Sequence, residues 1–407
     1  MEYPFKTFTA IEYLMIDIAN NFGLDHEDWV DRLIWFQLNK DDLMSQLEQA
    51  EEPALYYAGV MAYHNAMLGN INTYPISLDA TCSGMQILSA LTGDIKAARL
   101  CNVVGIGSRA DAYTDIFNMM QAQLNGLADI ERKDTKRAIM TSLYSSEKVP
   151  EEVFGTGETL RIFHETMERE APAVWELNKS FIPMWNPEVY KHSWVLPDNG
   201  HVEIKIYVDE KHNIEFLDEV YEVKTKINAP KEKGRSLGAN LTHSVDGMIV
   251  REIVRRCNYD VEEVKRVKYL LTQQAIGNYA WSHSGDQLQQ LLKLSNESGY
   301  LSSRVLHFIN KNTVCLMDED ERNQVLELIA SLPPKPFKVL TIHDCFRVLP
   351  NYGNDLRYQY NLQLMLIAKS NLLSFLLAQV LEVSHVTIDK FDPEMWKQIM
   401  TTEYALS

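Results

Sequence analysis

The sequence has 407 residues, 46% of them apolar, so it is long enough to form two or three packed subdomains with hydrophobic cores. We expect no N-terminal leader and no membrane span, because no charged and apolar leader and no sufficiently long apolar stretch is present. The 39 basic and 56 acidic residues give a net charge of −17, which argues against a protein that wraps nucleic acid with its whole surface. A nucleic acid would have to be held at a confined site, or by a partner that supplies positive charge.

The cysteines predict neither a disulfide framework nor a zinc site. They are odd in number and widely scattered, and no two of them form a Cys-x-x-Cys pair. We therefore expect reduced thiols and a cytoplasmic protein. The five cysteines are Cys82, Cys101, Cys257, Cys315 and Cys345.

The first part of the chain, residues 11–70, is predicted to be helical. Apolar residues recur at helical spacing through IEYLMIDIANNF and WVDRLIWFQL, with Gly23 as a break and Asp28 as a candidate cap. A short strand over 74–78 then leads into SLDATCSGMQILSALTG. In this stretch Asp79 ends the strand, small residues form a turn, and 85–91 has helical spacing.

Residues 109–190 are again predicted to be mostly helical, and they contain ERKDTKRAIMTSLYSSE. Arg132, Lys136, Met140 and Tyr144 follow one another at intervals of four residues, so they remain neighbours on one side of a helix. Lys136 and Tyr144 would be about 12 Å apart along the axis. Such a face suits a ligand with a polyanionic end and a planar end; the alternative is a solvated basic face with a tyrosine in the core.

The hydrophobic period changes to two after residue 200. HVEIKIYV and VYEVKTKI each alternate and predict a protruding hairpin over 201–227. A helix should start near His243, and 258–330 should be a long helical run. FKVLTIHDCFRVLP, over 337–350, predicts a second hairpin with His343 and Asp344 at its reversal, followed by a helix over 354–382.

Two carboxylates are therefore expected at strand ends that are far apart in sequence. Asp79 closes one strand and Asp344 lies at the tip of a hairpin. If they converge, they would hold the two divalent ions of an in-line nucleotidyl transfer. The alternatives are an N-cap role for Asp79 and a solvated turn for Asp344.

These elements, in this order, resemble motifs of the single-subunit RNA polymerases of bacteriophages and mitochondria. DATCSGMQILSA resembles motif A, RKDTKRAIMTSLYSS resembles motif B, and IHDCFRVLP resembles motif C. NLTHSVDGMIVR is similar to the segment that carries a nucleotide-contacting histidine. YLMIDIANNFG is also family-like, and residues 403–407 resemble the aromatic C-terminal foot of the family.

The resemblance implies an α+β fold: a mostly helical right-hand polymerase with palm and fingers and a small antiparallel palm sheet, without the thumb and the N-terminal domain. Residues 1–108 would be palm with N-terminal helices and motif A, and 109–235 would be fingers with motif B and the β-hairpin. Residues 236–407 would be palm with motif C, a helical insertion over 258–335 and the foot.

The resemblance also assigns roles to side chains. It implies two Mg²⁺ ions held by Asp79, Asp344 and the carbonyl of Ala80, with His343 beside them. Lys136 would donate a proton to the pyrophosphate leaving group. The residues implied to contact the nucleotide are Arg132, Lys136, Arg137, Met140, Tyr144 and His243.

The same resemblance favours RNA over DNA as the product. Related DNA polymerases carry a glutamate five positions after the motif A aspartate, where it blocks a 2′-hydroxyl. Here that position is Gly84, which leaves no steric gate, and Tyr144 adds a hydroxyl that can bond to the ribose. The alternatives are a family A-like DNA polymerase and a catalytically dead scaffold subunit.

Several departures from the family pattern predict partners. Family members are longer and carry a promoter-handling N-terminal domain and a thumb, so we expect a second polypeptide and a split, heterodimeric phage RNA polymerase in the cytoplasm of an infected bacterium. The acidic hairpin would be repelled by phosphates, which predicts an accessory single-stranded-DNA or promoter-recruiting factor. Ser145 replaces the usual glycine, and the insertion over 258–335 is either a docking site or a plain helical elaboration. The expected substrates are DNA template, nascent RNA and ribonucleoside triphosphates.

Overall fold

A computed structural model describes residues 2–273 and 282–407. This part of the chain is mostly α-helical with small antiparallel sheets, which confirms the predicted α+β class. The α-helices are α1 Ala10–Ala19, α2 Trp29–Asn39, α3 Pro53–Met67, α4 Ser83–Thr92, α5 Ile95–Leu100, α6 Ala112–Leu124, α7 Arg132–Ser142, α8 Lys148–Phe154, α9 Glu158–Glu170, α10 Pro172–Ser180, α11 Ser236–Cys257, α12 Val261–Thr272, α13 His283–Ser298, α14 Glu319–Ala330, α15 Gly353–Lys369, α16 Leu372–Val380 and α17 Trp396–Ile399. The strands are β1 Ile76–Asp79, β2 Lys191–Val195, β3 His201–Lys205, β4 Tyr207–Phe216, β5 Glu219–Asn228, β6 Leu340–Ile342 and β7 Cys345–Val348.

The three-stranded sheet has the order β1-β7-β6, and both of its pairings are antiparallel. The predicted hairpin over 337–350 is confirmed, because β6 and β7 reverse at His343 and Asp344. His343 has a φ of 56°, in the left-handed region that a tight reversal requires. In the register of β1 and β7, Asp79 lies opposite Cys345, so Asp344 comes directly beside the end of β1.

The helices before β1 follow the prediction closely. Thr9 and Glu12 form a capping box at the start of α1, and Gly23, with a φ of 118°, lies in a π-helical turn after it. Asp28 precedes α2 as predicted, but its carboxylate does not cap that helix. Instead it accepts a 2.6 Å hydrogen bond from the backbone N–H of Arg109, which joins α2 to the loop before α6.

The hairpin predicted over 201–227 is wrong in its pairing. HVEIKIYV is divided between two sheets: its first five residues form β3 and pair with β2, and its last two residues begin β4. β4 continues through the polar DEKHN and pairs with β5 over ten residues on each strand. The boundary lies at Ile206, a buried residue whose N–H donates to the carbonyl of Tyr190.

The long helical run predicted after 258 is three helices with short 3₁₀ turns between the last two. They have a hydrophobic cluster of their own, separate from the main core, in which Val267, Leu288, Val305 and Val325 are fully buried. The predicted insertion over 258–335 is thus a small packed unit, although 274–281 lie outside the described residues.

The helix predicted over 354–382 is two helices, α15 and α16. Ser370 has extended backbone between them, and its hydroxyl accepts from the N–H of Leu372 at the start of α16. Nowhere in 2–273 or 282–407 is one helix both long and apolar enough to cross a bilayer. Only a pair bent by 64°, Pro350–Lys369 with Leu372–Val380, meets that standard jointly.

Residues 403–407 lie along the free edge of β1. The N–H of Asp79 donates to the carbonyl of Ser407 at 3.1 Å, and the N–H of Ser407 donates to the carbonyl of Asp79 at 2.9 Å. Tyr404 anchors this segment, since its ring stacks on Trp29 at 5.3 Å between centroids. The backbone of Asp79 is therefore held from both sides, by β7 and by this segment.

Candidate active site

A cavity of about 820 Å³ opens where β1 ends and β7 begins, between α4, α7 and α11. Most of the side chains that the sequence analysis singled out line this single space. The predicted residues found there are Asp79, Ala80, Gly84, Lys136, Met140, Tyr144, His243, His343 and Asp344. Elements separated by more than two hundred residues in sequence thus meet at one site.

Asp79 and Asp344 meet at the bottom of this cavity. The pairing of β1 with β7 brings them together, and the N–H of Ala80 donates to the backbone carbonyl of Asp344 at 3.3 Å. The carboxyl of Asp79 reaches the solvent of the cavity, but protein surrounds it on its other sides. This burial, followed by the negative charge of Asp344, raises the pKa of Asp79 to about 6, and Lys136 offsets part of the rise.

A third acid at the site, Asp246, was missed by the sequence analysis. It lies on α11, three residues after His243 and on the same side of the helix. Burial and then the charge of Asp344 raise the pKa of Asp246 to about 6, while His343 lowers it. The spacing of His and Asp in THSVDG was a visible signal for it, because residues three apart share a helix face.

The donor set at the bottom of the cavity fits magnesium better than zinc or calcium. Within 2–273 and 282–407, no three or more His, Cys, Asp or Glu side chains are grouped tightly enough to enclose a metal ion. Mg²⁺ is commonly held by one or two carboxylates while it keeps waters and substrate phosphates. Burial and then the charge of Asp344 raise the pKa of Asp79, so its ionised carboxylate is disfavoured, and a divalent cation beside it would stabilise that form.

Tyr144 and Gly84 lie side by side in the lining of the cavity. The hydroxyl oxygen of Tyr144 lies 3.0 Å from the position that a Cβ atom on Gly84 would take. The ring of Tyr144 stacks on the imidazole of His243, with centroids 4.6 Å apart and planes 16° apart. Burial, followed by the charge of Asp246, raises the pKa of Tyr144 to about 12, so its hydroxyl stays protonated at neutral pH and can donate a hydrogen bond.

Tyr144 does not continue the helical face on which it was predicted. α7 ends at Ser142, and the N–H of Tyr144 bonds to the carbonyl of Thr141 in a tight turn. The next residue, Ser145, has a φ of 62°, the conformation that the glycine of the family pattern adopts without strain. Its hydroxyl donates to Oδ1 of Asn178 at 2.8 Å, a bond that holds the turn and that glycine would lack.

Lys136 lies on the part of α7 that faces the acids. Its Nζ atom is 5.1 Å from the ring centroid of Tyr113, and the hydroxyl of Tyr113 lies 3.2 Å from Sγ of Cys82. Tyr113 thereby supports the lysine from below. A half-buried ammonium beside two carboxylates can both attract an anionic ligand and transfer a proton.

Arg132 and Arg137 lie outside the described lining of the cavity. The guanidinium of Arg132 donates to Asp111 at 2.5 Å and to Thr114 at 2.6 Å. Asp111 itself lines the cavity; burial would raise its pKa, but the hydrogen bonds from Thr114 and Arg132 lower it to about 2. Arg137 is exposed and lies 3.6 Å from Glu152. Their roles in triphosphate binding therefore stay predictions.

A further basic residue, Arg109, lines the cavity and was not singled out from the sequence. Its Nε atom lies 3.4 Å from the hydroxyl oxygen of Ser407, on the side of Asp79 where residues 403–407 pack. Nothing in its local sequence distinguishes it, because only the fold brings the loop before α6 to this place.

Comparison with known proteins relates the chain to RNA polymerases. Residues 7–154 match the family model of DNA-dependent RNA polymerase. A protein of Neurospora crassa named "Probable DNA-directed RNA polymerase" is 27% identical over 158 residues, which cover 34% of this chain and 18% of that protein. Its namesake in Podospora anserina is 22% identical over 387 residues, covering 85% and 37%, and "DNA-directed RNA polymerase" of Pseudomonas phage phiKMV is 25% identical over 172 residues, covering 34% and 21%. The chain thus spans well under half the length of these relatives.

Proposed function

We propose that the chain is a member of the family of DNA-dependent RNA polymerases of the single-subunit phage and mitochondrial type, and that it is the catalytic subunit of a DNA-directed RNA polymerase. The observation that carries the proposal is the convergence of Asp79 and Asp344 beside Lys136 and Tyr144 in one cavity. The reaction is template-directed transfer of a ribonucleotide to the 3′ end of an RNA.

Asp79, Asp344 and the backbone carbonyl of Ala80 would hold two Mg²⁺ ions, which when bound stabilise charge on the attacking and leaving oxygens. His343 flanks these acids at the hairpin reversal. Asp246 adds negative charge from α11, and through the i, i+3 spacing it is tied to the position of His243.

The basic side of the cavity binds the triphosphate. Lys136 attracts it and donates a proton to the departing pyrophosphate. For Arg132 to take part, its guanidinium has to exchange the carboxylate of Asp111 for phosphate oxygens, which bidentate geometry permits. Arg137 contributes a positive charge at the outer edge of the same helix.

Tyr144, His243, Met140 and Gly84 select the sugar and position the base. The protonated hydroxyl of Tyr144 donates to the 2′-hydroxyl of a ribose, and the missing side chain of Gly84 leaves the space in which the Tyr144 hydroxyl stands. The stacked ring of His243 fixes the orientation of Tyr144. A glutamate gate at position 84 would fill this space, so the alternative of a DNA polymerase is disfavoured.

We interpret the three-stranded sheet and its helices as the palm, within 1–108 and 236–407, and the helices around α7, within 109–235, as the fingers. A palm and fingers with a net charge of −17 grip an RNA–DNA hybrid weakly. We therefore propose a second polypeptide that supplies the N-terminal domain and the thumb, an accessory single-stranded-DNA or promoter-recruiting factor, and action in the cytoplasm of an infected bacterium.

The proposal is tested by isolating the chain from its native source together with the proteins that bind it. Incorporation of ribonucleotides is then measured on primed DNA, with the isolated chain and with the mixture. We expect template-dependent RNA synthesis that needs Mg²⁺ and a second chain. Full activity of the isolated chain would refute the split enzyme, and no activity in any mixture would support a scaffold subunit.

A further inference from the structure

The hairpin of β4 and β5 has two chemically different faces. Its register pairs Val208 with Ile227, His212 with Val223 and Ile214 with Tyr221, and paired residues of antiparallel strands point to the same side. We name the side that carries these pairs the apolar face. Its members are Val208, Glu210, His212, Ile214, Phe216, Glu219, Tyr221, Val223, Thr225 and Ile227.

The apolar face is open to solvent from Glu210 to the tip of the hairpin, and Val208 at its base is partly buried. Ile214 is 51% exposed, Phe216 61% and Tyr221 49%, and Leu217 adds further exposed apolar atoms at the tip. The hairpin is anchored at its base, where the side-chain amide of Asn228 donates to the carbonyls of Tyr190 and Ile206.

The opposite side, here named the polar face, carries the lysines of the hairpin. Lys211 and Lys224 both lie near Glu222, at 2.9 Å and 3.8 Å, and Lys226 lies opposite Asp209. The charges of the apolar face are Glu210 and Glu219, with His212 beside Glu210 at 3.4 Å. The lysines are thus directed away from the apolar face, which keeps an acidic character.

A hairpin of this kind is expected to have a covering partner. Two strands without a packing layer are marginally stable in water, and an exposed apolar strip with polar margins marks an interaction surface. The span 207–228 holds six acidic and three basic residues, so phosphates would be repelled. A second copy of the chain would present the same acidic margin and would be repelled as well.

We propose that the apolar face of the hairpin is a docking surface for a different protein chain, whose contacting surface is apolar in the middle and carries lysine or arginine at its margin. The partner packs on Ile214, Tyr221 and Val223 and pairs its cations with Glu210 and Glu219. This inference needs only the geometry of the hairpin, so it is separate from the assignment of the active site.

The test uses the photo-crosslinking amino acid p-benzoylphenylalanine in the full chain, expressed in its native source in an Asp344→Asn background. The probe is placed at Val223 or Ile214 on the apolar face and, as matched controls, at the neighbouring Lys224 or Glu215 on the polar face. Docking predicts that the first pair crosslinks to one polypeptide several-fold more than the second. Because crosslinking detects contact and not turnover, the result does not depend on the proposed activity.

A second experiment reverses charges on the hairpin and tests whether the partner carries cations at its margin. Glu210→Lys with Glu219→Lys should weaken the crosslink from Val223, whereas Glu215→Lys on the polar face should leave it unchanged. Crosslinks that nuclease removes would assign the hairpin to nucleic acid, and crosslinks to a second copy would make it a self-association surface. Either of these outcomes, equal crosslinking from both faces, or no effect of the Glu210 and Glu219 reversal would overturn the proposal.

Discussion

The hydroxyl oxygen of Tyr144 lies 3.0 Å from the point where a Cβ atom on Gly84 would stand. Gly84 lies in α4 and Tyr144 in the turn after α7, about sixty residues apart in sequence. The local sequence around either residue does not predict that they meet. The pair makes residue 84 a size filter beside a hydrogen-bond donor. Under the proposed function, this pair distinguishes ribose from deoxyribose.

Gly84→Ala is expected to lower ribonucleotide incorporation, because the new methyl group meets the Tyr144 hydroxyl at a distance that real Cβ contacts seldom reach. Tyr144→Phe removes that oxygen and should weaken discrimination against deoxyribonucleotides. In the double variant the clash is relieved, so incorporation should recover above the Gly84→Ala level. Strictly additive losses in this double-mutant cycle would show that the two residues act independently.

Asp79→Asn is expected to raise the thermal unfolding temperature at about pH 8 and not at about pH 4. The pKa of Asp79 is higher in the folded protein than its ordinary value, so folding favours the protonated form. The stability that this carboxyl contributes is present at low pH and is lost as the pH rises through about 6. Asp129→Asn, at an exposed acid outside the lining of the cavity, controls for the change in net charge.

An equal gain for Asp79→Asn at both pH values would contradict this account of the carboxyl. The wild-type chain should also gain stability from Mg²⁺ at about pH 8, since a cation stabilises the carboxylate that burial and the charge of Asp344 disfavour. Asp79→Asn should lose this gain. Differential scanning fluorimetry with and without Mg²⁺ measures both effects.

Lys136→Arg should keep substrate binding but lower kcat, because a guanidinium attracts phosphate but does not release a proton. Lys136→Gln should impair both. A general acid contributes about 10²- to 10⁴-fold, so a fall of that size in kcat with little change in KM is expected for the arginine variant. Lys133→Gln, on the exposed side of α7, is the matched control. An unchanged kcat for Lys136→Arg would restrict Lys136 to binding.

The tip of the long hairpin is strained, because Leu217 and Asp218 both have positive φ, 51° and 63°. A two-residue turn of this type favours Asn-Gly. Replacing Leu217 by Asn and Asp218 by Gly should stabilise the hairpin by about 1 kcal/mol or more. Hydrogen exchange of the amides of β4 and β5 measures the gain, and Leu217→Ala, which keeps the strain, should show none.

Local pattern in the sequence was enough to predict most elements, because apolar spacing and turn residues act locally. It placed Asp79 at a strand end and Asp344 at a reversal, and the β1–β7 register then joins them. The prediction from local pattern failed where the structure depends on which strand pairs with which. HVEIKIYV reads as one alternating strand, yet its two parts pair with different strands, and alternation carries no information about partners.

The site shows the same division between local and distant causes. The four-residue spacing of Arg132, Lys136 and Met140 held along α7, but the turn that removes Tyr144 from this face has no glycine to announce it. Arg132 is engaged by Asp111, twenty-one residues earlier, which spacing within one helix does not reveal. Asp246 could have been predicted, because it follows His243 by three residues and residues at this spacing share one face of a helix.

We propose that Asp79 and Asp344 together carry nucleotidyl transfer. Template-dependent ribonucleotide incorporation by the Asp344→Asn chain, in the presence of its co-purified proteins, tests this directly, and circular dichroism checks the folding. We expect a loss of roughly 10³-fold or more with an unchanged spectrum. Incorporation at the wild-type rate by a folded Asp344→Asn chain would contradict it.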